Sequence, residues 1–98
     1  MSDIRFEWDA GKARSNLKKH GVSFEEASTA FYDEHALVID DPDHSNDEQR
    51  FLLLGLSVSV RLVVVFHCFR GADDVIRIIS ARRANPAESA QYSDRLRT

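Results

Sequence analysis

Cys68 is the only cysteine in the 98-residue chain, so no disulfide can form within it and no site built on paired thiolates can hold a metal. Long hydrophobic runs are equally scarce. The longest, Leu62 to Phe66, falls far short of the ~20 residues that a membrane-spanning helix needs. The N-terminal MSDIRFEWD has neither the basic start nor the apolar stretch of a secretory signal. There is no internal repeat, low-complexity tract or linker, no glycine-rich phosphate loop and no serine-centred elbow. These absences predict one domain over 1–98 in a reducing, cytoplasmic setting, with no membrane contact and no cofactor. An apolar content of 43 %, with six Phe, two Tyr and one Trp, is ordinary for a globular domain and supplies one modest core.

The net charge of −3 argues at first against a nucleic-acid partner, but its distribution is uneven. Residues 1–20 carry five basic and three acidic side chains, residues 21–50 one basic and nine acidic, and residues 77–98 five basic and two acidic. Charge reaches only about 8 Å in physiological salt, so basic ends can act locally despite an acidic middle. That middle block is equally suited to a basic partner protein.

Ile4, Phe6 and Trp8 alternate with Arg5 and Glu7, the period of a half-buried strand. Asp9 is a good N-cap for a helix over Ala10 to Lys19, and Gly21 suits its left-handed close. Ser23 with Glu26 three places on reads as a capping box opening a second helix, whose buried stripe is Phe24, Ala27 and Phe31. Ala36 to Ile39 is a possible short strand, and Asp40-Asp41-Pro42-Asp43 a turn. Strand-like runs follow at Arg50 to Ser57, Arg61 to Phe69 and Asp74 to Ala81, with breaks short enough for hairpins. Asn85 and Pro86 start a final helix. The order β-α-α-β-β-β-β-α predicts an α+β fold: an antiparallel sheet of four to five strands with two N-terminal helices and one C-terminal helix.

Three stretches together resemble the BrnT family of the RelE-like superfamily. The first is Phe6-Glu7-Trp8-Asp9 with Lys12, Asn16 and the string KHGVSFEEA from Lys19 to Ala27. The second is Asp43-His44-Ser45, Asp47-Glu48-Gln49-Arg50-Phe51 and Gly55. The third is RIISARRA from Arg77 to Ala84, then Glu88 and Tyr92. The resemblance implies a RelE-like fold and a type II toxin that cleaves RNA, and so inhibits translation as an mRNA interferase does. It also implies neutralisation by a ribbon-helix-helix antitoxin of the BrnA type, with DNA engaged only through that antitoxin. A second reading makes the chain a protein-binding module, weak in catalysis, that partners a DNA-binding antitoxin and adjusts operon repression.

Metal-free RNA cleavage needs a base for the 2′-hydroxyl, cations for the charged phosphorane and an acid for the leaving oxygen. The resemblance points to Arg61 and Arg83 as the cations, converging beside the last helix on one phosphodiester. The plain alternative is that they are solvated strand ends. Strand alternation predicts that Arg77 projects with Arg83 and that Arg82 points oppositely. Tyr92 matches a tyrosine used in proton transfer or stacking by some RelE-like nucleases, or else packs its helix. RelE has lysines on the strand before the first arginine. Here that place is held by Glu48, a candidate base, and Arg50, a candidate phosphate contact, or the two form an intrastrand ion pair. Lys19 and His20 either contact RNA or answer the dipole at a helix C-terminus. Trp8 either stacks on RNA or anchors the first strand. Arg77 and Arg82 complete the candidate RNA contacts. His35 with Asp43-His44 lacks the spacing of a metal site, and none is expected.

Overall fold

The computed structural model describes residues 4–41, 49–71 and 75–97. Its first strand, β1 (Arg5–Glu7), leads into α1 (Ala10–His20) through Asp9, whose Oδ2 accepts from the Lys12 amide at 2.9 Å. Gly21 ends α1 at φ 71°, a left-handed conformation open to glycine at no steric cost, and its amide returns to the Leu17 carbonyl at 2.8 Å. Ser23 caps α2 (Phe24–Thr29), after which a single 3-10 turn, Ala30–Tyr32, brings the chain to β2 (Leu37–Asp40). Strands β3 (Phe51–Leu56), β4 (Leu62–Arg70) and β5 (Val75–Arg83) follow, and then α3 (Pro86–Leu96). Asn85 and Glu88 cap α3 reciprocally, each side chain bonding the other's backbone amide at 2.8 Å.

The five strands lie in the order β1-β5-β4-β3-β2. From β2 to β5 the pairing is antiparallel, as expected of consecutive strands on short links. β1 departs from that expectation and pairs in parallel with β5, so the sheet is mixed. The cause is topological: α1 and α2 carry the chain across one whole face, from β1 at one edge to β2 at the other.

That crossing creates the main core. Val22, Phe24, Ala27 and Ala30 pack on Leu53, Val63, Val65, Ile76, Ile78 and Ala81, all buried. A fully buried side chain of the size of Phe24 or Ile78 contributes about 1.5–3 kcal/mol. Gly55 permits the closest approach: a Cβ there would stand 3.0 Å from the Ala30 carbonyl oxygen. On the opposite face α3 contributes Tyr92, packed against Leu54 and Val64.

One irregularity decides where the arginines point. Phe66 pairs with Ser80 but His67 pairs with Ile78, leaving Ile79 as an extra residue in β5. An inserted residue inverts the alternation on either side of it. Arg77 stands opposite Cys68 and Arg82 opposite Val64, so these two share a side. Arg83, opposite Val63, faces the α1–α2 layer. The expectation that Arg77 projects with Arg83 is thereby corrected.

Candidate active site

The hairpin between β3 and β4 is closed tightly. The Ser57 amide donates to the Arg61 carbonyl at 2.8 Å, and the Val60 amide to the Ser57 carbonyl at 2.9 Å. Val60 takes φ 60°, a left-handed conformation that a β-branched residue adopts only at a cost of about 1–2 kcal/mol. That turn delivers Ser57 and Arg61 together to Glu26 of α2. Ser57 Oγ donates to Glu26 Oε2 at 2.7 Å and Arg61 Nε to the same oxygen at 2.9 Å. Arg61 Nη2 bonds Glu26 Oε1 and also donates to the Gly21 carbonyl at 3.0 Å. One guanidinium thus ties β4 to the end of α1 and to α2.

The Arg61 hydrogen bonds hold the Glu26 carboxyl below its ordinary value, against the opposing pull of burial. The charge of Arg83, on the same side of the sheet, adds a minor contribution to the same shift. Arg61 and Arg83 therefore lie on the side of the sheet that α2 covers, and not beside the last helix. The side chain of Glu26 is only 11 % exposed, whereas Arg83 is exposed to solvent and has no ion-pair partner among the described residues.

The other candidates are dispersed. Tyr92 packs on the opposite face of the sheet, and its hydroxyl donates to Asp33 Oδ2 at 2.5 Å. Burial first, and then the Asp33 carboxylate, push its pKa up to about 12, so a phenolate is out of reach near neutrality. Tyr92 is a packing residue here, which corrects its placement with the arginines. Arg82 is held by both oxygens of Glu88, at 2.8 and 2.9 Å, and lies 5.8 Å over the Phe66 ring. Arg77 pairs with Glu7 at 2.9 Å. Both guanidiniums answer internal carboxylates.

Arg50 precedes Phe51, which pairs with His67, while Arg61 precedes Leu62, which pairs with Leu56. The two arginines thus stand at opposite ends of the β3–β4 ladder, about 23 Å apart along the strands, and Arg50 does not join the site. Glu48, Asp43 and His44 lie outside the described residues. Trp8 meets Phe24 edge to face at 5.9 Å and packs against the core, which corrects its reading as a free stacking surface. Lys19 and His20, exposed at the end of α1, line an open groove beside β5. Among the described residues no three His, Cys, Asp or Glu side chains gather as a metal ion would require, and no helix is long and apolar enough to cross a membrane.

Glu26 is the residue that sequence reasoning missed. It was legible only as the second half of a capping box, and just one half forms: Ser23 Oγ accepts from the Glu26 amide at 2.9 Å, while the carboxylate goes to Arg61 and Ser57. The signal available was a carboxylate inside the KHGVSFEEA string.

Residues 8–88 match a family described as the ribonuclease toxin, BrnT, of type II toxin–antitoxin systems. The chain belongs to the BrnT family. Glu26, Arg61 and Arg83 lie inside the matched span and Tyr92 beyond it. BrnT membership implies an antitoxin partner. The fold is also that of the ribonuclease toxin BrnT of Brucella abortus. The TM-score is 0.64 at 21 % identity, over 85 % of this chain and 99 % of that one. No curated protein matches the sequence.

Proposed function

We propose that this BrnT-family chain is a metal-independent endoribonuclease of the mRNA interferase type, acting in the cytoplasm and neutralised by a BrnA-like ribbon-helix-helix antitoxin. One observation carries the reading: Arg61 grips the Glu26 carboxylate, and Arg83, from the neighbouring strand, faces the same α1–α2 layer. Groups arranged to surround a carboxylate are suited to the charge that develops on a phosphorane. Arg83, exposed and without an ion-pair partner among the described residues, meets the scissile phosphate, and Arg61 adds its charge from a position that Glu26 holds. Glu26 is thus a positioning residue. His20 is the candidate to exchange the proton of the 2′-hydroxyl, a general acid–base role that histidine often fills. It sits in the turn whose Gly21 carbonyl Arg61 grips.

The test is cleavage of RNA by the purified chain in excess chelator. Arg83→Ala is expected to lower the rate by about 10²–10³, with the melting temperature unchanged because Arg83 is exposed and makes no ion pair among the described residues. Full activity in that variant, or activity that chelator abolishes, refutes the proposal.

The second reading, a partner-binding module with weak catalysis, draws on the Arg61 fork being occupied by Glu26. It also draws on a trough of about 280 Å³ beneath α3, whose apolar lining of Leu37, Ile39, Leu52, Leu54 and Val64 suits a protein better than RNA. A chain that binds its antitoxin tightly and leaves RNA intact would establish it.

A further inference from the structure

β5 lacks a full neighbour on its outer side. β1 pairs with it only through residues 75–77, and at Ala81 the side chain of Asn16 stands in for the missing strand. Between these two points, Ile79 and Ser80 form the floor of a groove of about 600 Å³ whose wall is α1. The wall is basic: Lys12, Arg14, Lys19 and His20 line the groove, and its one acid, Asp9, already caps the helix.

The cations of this groove differ from those of the sheet in what they hold. Arg61, Arg77 and Arg82 each answer a carboxylate of the same chain. Lys12, Arg14 and Lys19 make no side-chain ion pair among the described residues, so their charge is available to a ligand. At its far end the groove passes Lys19 and His20, the residues that precede the Gly21 whose carbonyl Arg61 holds. No aromatic ring lines it, and Trp8 is turned into the core.

From this we infer that the α1–β5 groove binds the sugar–phosphate backbone of single-stranded RNA and leads it to the arginine centre. The inference rests on the ribonuclease reading and deepens it by naming where the rest of the substrate lies. Contact is to phosphates and not to base faces, because cations line the groove and stacking surfaces do not. α1 is about 16 Å long, enough for a short run of nucleotides.

The experiment measures binding of a 2′-O-methyl oligonucleotide, which cannot be cleaved, across a range of salt concentrations. Lys12→Gln/Arg14→Gln is expected to weaken binding by roughly an order of magnitude at low salt. It also flattens the plot of log K against log salt by about 1.4, the value for two lost phosphate contacts on a single strand. Lys18→Gln, on the same helix but outside the groove, leaves both quantities unchanged. All three substituted side chains are exposed, and an unaltered melting temperature excludes misfolding as the cause.

Wild-type affinity and salt slope in the double variant overturn the groove while leaving the nuclease reading intact. Weakened binding in that variant, with a wild type that cleaves no RNA, sustains the groove and sinks the nuclease. A double variant that loses only its hold on a partner protein assigns the groove to an acidic peptide and overturns the inference.

Discussion

Asn16→Ala is the substitution whose consequence the structure defines most closely. Asn16 is 7 % exposed on α1, and its amide makes three hydrogen bonds. Nδ2 donates to the Val22 carbonyl at 2.9 Å and to the Ala81 carbonyl at 2.8 Å, while Oδ1 accepts from the Ala81 amide at 3.1 Å. Truncation removes all three and leaves three backbone groups unpaired, on residues whose side chains are almost wholly buried. Each such group costs about 1–3 kcal/mol, and water entering from the neighbouring groove offsets part of it, so the net loss is about 3–5 kcal/mol. In a domain of this size that lowers the melting temperature by about 15–25 °C. Asn16→Asp is at least as harmful, because it turns a negative oxygen toward two carbonyls. Ser15→Ala, the neighbouring exposed position, stays within about 0.5 kcal/mol. Calorimetry of the three variants decides the matter. A fall below about 4 °C for Asn16→Ala would mean that the amide does not act as the missing strand of β5.

Three further outcomes follow from single groups. Because Arg61 holds Glu26 below its ordinary value of 4.5, the stability that this pair adds is present above pH 4.5 and lost as acid protonates the carboxyl. Glu26→Gln should cost about 2 kcal/mol at pH 7 and show a shallower acid limb in urea unfolding; an identical limb would refute the assignment. His67 is buried among Phe31, Phe51 and Phe69, and burial lowers its pKa from 6.5. Neutral in the folded state, it costs stability as pH falls below 6.5, so His67→Leu should flatten the dependence of the urea midpoint on pH between 6.5 and 5. Val60→Gly relieves the left-handed strain at φ 60° and should raise the melting temperature by a few degrees, contrary to the usual effect of glycine. A lower melting temperature would show that the turn carries no strain.

Much of the fold was legible because local chemistry and tertiary structure agree. Asp9, Ser23 and Asn85 cap the helices they precede, and the alternation of Ile4, Phe6 and Trp8 marks a strand. The parallel pairing of β1 was not legible, since residues 4–8 say nothing about which edge they join. The bulge at Ile79 was hidden inside a continuous β-branched run, where an inserted residue leaves no compositional trace. At the site, kinship singled out Arg61 and Arg83, which lie on one side of the sheet. It misplaced Tyr92, whose partner Asp33 lies 59 residues away in sequence. Glu26 escaped notice because one glutamate satisfied a helix-start pattern and served a distant arginine instead. The cations of α1 became distinguishable from Arg61, Arg77 and Arg82 only once the carboxylate partners of those three had positions.

The extra residue in β5 makes the length of that strand a selector between adjacent side chains. Ile76 and Ile78 reach the core before it and Ala81 after it, although no unbroken alternation would turn both sets inward. Were the bulge lost with every residue kept, either the two isoleucines would swing out to solvent, or the end of the strand would turn over. In the second case Arg82 would be presented to Glu26 and Arg83 to Glu88. Loss of the bulge would therefore exchange the Glu88 clamp for a position facing α2 without altering one arginine, and relatives are better compared by register in β5 than by aligned letters.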